Sequence, residues 1–285
     1  MNELPNGVLI HILQYIGIGY EVLKLRRVCK LWKELSVECV VSCYEYPKNV
    51  KFNVKNLNYL NLSLYYIRIV DITPISELKS LTILDLSHNK IVDITALSEL
   101  RSLTWLDLSY NEIVNLTTLS ELKSLIRLIL SNNRIVDIAP LSELKSLTHL
   151  DLDFNEIVDI APLSKLKSLS QLYISSNKIV DITPLSELRS LIYLTLGFNI
   201  IVDIAPLSKL KSLSRLYISE NYIVDITPLS GLKSLIKLWL SVNRIVDITP
   251  LLGLESLTYL RLEHNKIDEE IFKNDFFSSI KNLYY

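Results

Sequence analysis

The amino-acid sequence predicts an α+β protein: a solenoid of stacked 22-residue turns with a parallel β-sheet on its concave face, preceded by a small helical domain. Three observations carry that reading. A 22-residue period of leucine, isoleucine and asparagine begins at Tyr59 and runs almost to the C-terminus. Within each period two leucines flank a variable residue, as in Leu84-Asp85-Leu86, the pattern of a strand with one buried face. The first forty residues ignore the period and space their apolar side chains as a helix does.

The elements follow in chain order. Leu9, Ile12, Leu13 and Ile16 fall at i, i+3, i+4 and i+7, an amphipathic helix that Gly17 and Gly19 break. Val22, Leu25, Cys29 and Trp32 line one face of a second helix, so residues 1–40 read as a helical domain. Residues 41–58 read as a linker and N-terminal cap, with Val50, Phe52 and Val54 as an extended capping strand. Residues 59–267 hold ten copies of the period. After Leu81 come Leu84, Leu86, Asn89, Ile91, Ile94, Leu97 and Leu100, and the same spacing restarts at Leu103 and every later copy to Leu257. Tyr59 opens a degenerate first copy, with Ile67 in the asparagine position.

The spacing has physical consequences. Each copy supplies one strand to a parallel sheet and points seven or eight apolar side chains inward. Burying each fully is worth about 1.5–3 kcal/mol before conformational entropy is subtracted, and no single turn can enclose that surface without neighbours. The asparagines stack as a ladder, and a buried amide must find its partners in the backbone of the adjoining turn. Prolines at 74, 140, 162, 184, 206, 228 and 250 fix a tight turn on the return limb. So short a repeat leaves room there for 3₁₀ or irregular segments and not for a long helix. Residues 268–285 read as a C-terminal cap. Phe277, Ile280 and Leu283 echo Leu254, Leu257 and Leu260 with one residue inserted, after a short helix between Asp268 and Phe276.

This repeat resembles the leucine-rich repeat, and the turn Ile179-Val180-Asp181-Ile182-Thr183-Pro184-Leu185 is similar to the internalin-like type. Bacterial members of that type are secreted adhesins; the resemblance implies the geometry here and not that role. The N-terminal domain resembles the F-box family. Leu4-Pro5 looks like its opening dipeptide, Leu9, Ile12 and Leu13 occupy its first hydrophobic helix, and Glu21 to Trp32, with Val28-Cys29 and Trp32, is similar to its second half. Gly7 stands where the family usually has an acidic residue, and Glu21 where it usually has aspartate. The resemblance implies binding to a Skp-type adaptor, and through it to a cullin. The implied adaptor contacts are Leu4, Pro5, Leu9, Ile12 and Leu13, with Val28, Cys29 and Trp32 packing or touching.

The repeats would then hold a protein substrate on the variable positions that flank the core leucines. Aromatic side chains concentrate there: Trp105, Tyr110, Phe154, Tyr173, Tyr193, Phe198, Tyr217, Trp239 and Tyr259. Tyrosine and tryptophan dominate interface hot spots because they bury much area at little entropy cost. Alternatively such rings merely pair across strands. Charge is polarised along the face, with Asp85, Asp107, Asp151 and Asp153 toward the N-terminal half and Arg215, Lys237 and Arg261 toward the C-terminal half. A ligand of complementary polarity is expected.

Composition narrows the function classes. A formal net charge of −1 argues against a general nucleic-acid binder. Three cysteines make no closed disulfide framework, Glu3 sits where a signal peptide would be basic, and the apolar stretch Val8–Ile18 is too short to span a bilayer. A cytoplasmic or nuclear protein is expected, in its own cell or a host's, with no membrane partner. No phosphate loop or metal-ligand spacing occurs, so no cofactor, metal or catalytic residue is expected. Asp85 and Asp107 could be neighbours, but on an open face they read as a solvated acidic patch. Two functions compete: an F-box substrate receptor for ubiquitination, and a non-ligase scaffold or decoy that sequesters a partner. A secreted adhesin is disfavoured.

Overall fold

The computed structural model describes residues 41–42, 61–66 and 68–285. The two expected N-terminal helices and the strand expected at Val50, Phe52 and Val54 lie outside these residues. The chain divides into two compact units between Asn133 and Arg134.

In the first unit, β1 (Val41–Ser42), β2 (Asn61–Ser63), β3 (Ile83–Asp85), β4 (Trp105–Asp107) and β5 (Arg127–Ile129) pair in parallel in chain order. The register aligns Leu62, Leu84, Leu106 and Leu128. In the second unit, β6 (His149–Asp151), β7 (Gln171–Tyr173), β8 (Tyr193–Thr195), β9 (Arg215–Tyr217), β10 (Lys237–Trp239), β11 (Tyr259–Arg261) and β12 (Asn282–Tyr284) do the same. Each repeat leucine is buried, as at Leu84, Leu86, Leu172 and Leu238, all 0% exposed.

Each return limb of a full copy carries a short 3₁₀ segment, such as Thr95–Glu99 in the first unit and Thr183–Glu187 in the second. Proline sits in its first turn in most copies, where its fixed φ suits the helix and its missing N–H costs nothing. An aspartate two residues upstream completes the turn. Asp93 Oδ1 accepts from the Thr95 N–H at 2.9 Å and Asp181 Oδ1 from Thr183 at 2.8 Å. Asn115 replaces that aspartate in one copy and does the same work, accepting from the Thr117 N–H at 2.8 Å, because only an acceptor is needed.

The asparagine ladder makes the contacts its burial demands. Asn111 Oδ1 accepts from Ile91 N–H at 2.9 Å, and its amide donates to the carbonyls of Leu86 and Leu108 at 3.0 Å. The Ser-Glu-Leu-Lys-Ser segments carry exposed ion pairs between successive turns, such as Lys79–Glu99 at 2.7 Å, and pairs this exposed contribute little.

The C-terminal turn closes as its spacing predicts. A 3₁₀ segment, Glu269–Lys273, and a short helix α1, Asp275–Ser279, are capped by Asp268 and Asn274, whose side chains accept from Glu270 and Phe276 N–H. Leu283 then pairs with Leu260, while Phe277 and Ile280 are buried.

Candidate partner-binding face

With the middle leucine of each strand fixed inward, the residues on either side of it must face outward. In the first unit this places Trp105 and Asp107, both half-buried, on β4. Asp107 lies in register with Asp85, so the two carboxylates are neighbours. Each is engaged locally: Asp107 Oδ1 accepts from the Ser109 N–H at 2.9 Å and hydroxyl at 2.6 Å, and Asp85 makes the same pair of bonds with Ser87. Burial raises the Asp107 pKa, and the Ser109 bonds oppose that rise. The arrangement is a hydrogen-bonded fixture of the strand end. Tyr110 stacks on His88 with ring centroids 4.0 Å apart, and Tyr65 meets the same imidazole at 5.0 Å. The sequence reading had no place for Tyr65.

In the second unit the outward rings make one connected row. Centroids lie 4.8 Å apart for Tyr173–Tyr193, 5.3 Å for Tyr193–Tyr217, 3.7 Å for Tyr217–Trp239 and 4.6 Å for Trp239–Tyr259. The row continues to Tyr284 at 5.6 Å, a member the sequence reading missed. Allowing for the inserted residue aligns Tyr284 with Arg261, which is the signal that would have found it. Burial, and then the neighbouring Tyr217 hydroxyl, hold the Tyr193 phenol well above its usual pKa. The cross-strand pairing alternative is therefore present as geometry, and the rings from Tyr173 to Tyr259 remain only half-buried while Tyr284 is exposed.

Phe154 and Phe198 behave differently. They are 57% and 61% exposed and sit just beyond the strand, on the residue that precedes a ladder asparagine. Every residue at that place has a left-handed backbone, with φ of 53° at Tyr110, 55° at Phe154, 54° at Phe198 and 56° at Val242. The sequence reading grouped these residues with the strand face as freely variable. The structure instead gives them a backbone requirement, one that glycine or asparagine meets most cheaply.

The expected charge polarity needs one correction. Arg261 does not stand as a free cation: Glu263 accepts from it at 3.0 Å, and the Ser241 hydroxyl binds the same carboxylate. The basic end is therefore Arg215 and Lys237. At the acidic end Asp153 Oδ1 receives the Ser175 N–H and the Thr195 hydroxyl, while Asp151 accepts from the Asp153 N–H at 3.0 Å. Burial first, then the adjacent Asp151 charge, raise the Asp153 pKa to about 6.

Among the described residues no group of three or more His, Cys, Asp or Glu could hold a metal ion, and no helix is long and apolar enough to cross a membrane. The expected adaptor contacts Leu4, Pro5, Leu9, Ile12, Leu13, Val28 and Trp32 lie outside the described residues.

Comparison with known proteins fits this architecture. The family model described as leucine rich repeat matches residues 55–113 and 211–267, and that described as leucine rich repeats (2 copies) matches 123–163, 145–187 and 189–231. The F-box-like model matches residues 1–40. An internalin (inlF) from Listeria monocytogenes is 35% identical with a TM-score of 0.77, over 81% of this chain and 67% of that one. Internalin C2 from the same organism is 33% identical with a TM-score of 0.55, over 71% of this chain and 80% of that one. The ectodomain of the Arabidopsis thaliana receptor kinase GASSHO1/SCHENGEN3, solved in complex with Casparian strip integrity factor 2, is 26% identical with a TM-score of 0.67, over 78% of this chain and 29% of that one. No curated protein matches the chain. Leucine-rich-repeat and F-box families are typically interaction modules and not enzymes.

Proposed function

The chain belongs to the leucine-rich-repeat proteins in their internalin-like form, with an F-box-like segment ahead of the repeats, and from that premise we propose that it is the substrate receptor of a Skp–cullin–F-box ubiquitin ligase. The observation that carries the reading is the F-box-like match at residues 1–40 joined to a repeat array whose outward face bears a continuous aromatic row. In this reading Leu4, Pro5, Leu9, Ile12 and Leu13, with Val28 and Trp32, meet the adaptor. The outward strand residues, Trp105 and Asp107 in the first unit and Asp151 to Arg261 in the second, are the ones that hold the substrate. Ubiquitin transfer belongs to the other subunits; this chain supplies proximity by holding adaptor and substrate at once. Such a role places it in the cytoplasm or nucleus of its own cell or a host's.

The departures at Gly7 and Glu21 favour a second reading, in which the N-terminal segment contacts no adaptor and the repeats sequester their partner. Pull-down from a eukaryotic lysate, probed for adaptor and cullin, separates the two. The full chain is expected to retain both, and a Leu9→Asp/Ile12→Asp variant neither. Failure of the unmodified chain to bind purified adaptor would refute the ligase reading.

A further inference from the structure

The charges along the aromatic row say what kind of partner segment fits it. Arg215 and Lys237 stand opposite one another in register on adjacent strands. Like charges so placed weaken a sheet, and among the described residues no carboxylate pairs with either. The third cation of the region, Arg261, is already neutralised by Glu263. Two uncompensated positive charges are thus held side by side at the centre of the row, with Lys237 Nζ 5.8 Å from the Tyr259 ring.

The rings add to that field. Tyr217 and Trp239 are parallel within 17° at 3.7 Å, so each covers the other's face. What remains open is ring edge, which carries the positive end of the aromatic quadrupole. The acidic pair Asp151 and Asp153 lies three strands from β9, beside the first ring of the row.

We infer that the β6–β11 face takes an extended acidic protein segment, with carboxylates over Arg215 and Lys237 and a basic residue toward Asp151 and Asp153. Five strand steps of about 4.8 Å make a span that about seven extended residues cover. This rests on the substrate-receptor reading and gives the substrate's docking segment its chemistry. A single-stranded nucleic acid fits less well: it needs open ring faces for its bases and more cations for its phosphates than two.

Fluorescence anisotropy on the full chain tests this with three labelled probes. The first is a peptide of about nine residues, lysine at one end, three glutamates at the other, serine and leucine between. The second exchanges lysine and glutamate. The third is oligothymidylate of about twelve nucleotides. At about 50 mM salt the glutamate-rich peptide is expected to bind about tenfold tighter than its charge-exchanged counterpart. That preference is expected to vanish in Arg215→Glu/Lys237→Glu, whose circular dichroism should match the parent. Equal binding of both peptides, a preference that survives the double variant, or tighter binding of oligothymidylate would each overturn the inference. Adaptor retention is measured on the same proteins. Adaptor bound without the peptide preference defeats only the acidic-segment inference; the preference without adaptor defeats only the ligase reading.

Discussion

Replacing Asn177 by alanine is expected to cost about 2–3 kcal/mol, chiefly from one buried backbone donor left without a partner. Asn177 is 8% exposed. Its Oδ1 accepts from Ile157 N–H at 3.0 Å, and its amide donates to the carbonyls of Leu152 at 3.0 Å and Ser175 at 3.1 Å. Truncation orphans the Ile157 donor, at about 1–3 kcal/mol when water cannot reach it, and weakens the Leu152 acceptor, which keeps the Asn155 amide at 3.2 Å. Asn265 is the internal control. It makes the equivalent bonds to Ile245, Leu240 and Leu262 but is only half-buried in the last full copy, so water can replace the amide. Asn265→Ala is expected to cost about 1 kcal/mol. Asn177→Asp separates acceptor from donor: it keeps the Ile157 bond, loses the donated ones and sets a carboxylate against carbonyl oxygens. Its folded pKa must rise above its unfolded value of about 3.9, so its stability is greatest below that value and falls as pH rises. Urea unfolding followed by circular dichroism measures all three. Equal costs for Asn177→Ala and Asn265→Ala, with no pH slope for Asn177→Asp between about pH 4 and 7, would refute the ladder argument.

Two further outcomes follow from the same structure. Val242 is β-branched yet holds φ at 56°, so Val242→Asn, which tolerates that conformation better, is expected to stabilise the fold by about 0.5–1 kcal/mol in urea titration. The Asp153 carboxyl, raised from 3.8 to about 6 in the fold, resists ionisation, so the folded state loses stability as pH climbs through that window and stays level above it. Asp153→Asn removes the loss while still accepting the Ser175 N–H; its unfolding free energy from urea titration is expected to match the parent near pH 4 and exceed it above pH 6 by on the order of 1–2 kcal/mol, allowing for screening at a partly exposed group.

What was legible in the sequence was whatever a fixed spacing determines. The leucine pair, the asparagine and the proline recur at one period, so strand, ladder and 3₁₀ segment could be placed before any coordinates. Repetition alone did not mean burial, however: Val180 has a counterpart in nearly every copy and is 53% exposed. The left-handed residue escaped notice because backbone sterics define it and its side chain changes from copy to copy. The aromatic row was hard to read for a different reason. Tyr193 precedes its strand leucine while Tyr173 and Tyr217 follow theirs, so the chain's columns separate rings that space brings together. Glu263 was overlooked although Asp153 was read at the same place past the second leucine, because only charges that make the two halves differ were compared, and Glu263 lies among the cations beside Arg261.

The likeness of the interior copies has a consequence for how the chain finds its structure. Interior copies are nearly interchangeable, so a chain that skips one while coiling would lose a single turn and still satisfy every neighbour it touches. Such a slipped form would keep both its ends, because the closing turn pairs only with β11 and seals whatever stack precedes it. The lid therefore does not count the turns; what marks the native count is the side chains in which copies differ, such as the rings that meet from Tyr173 to Tyr284.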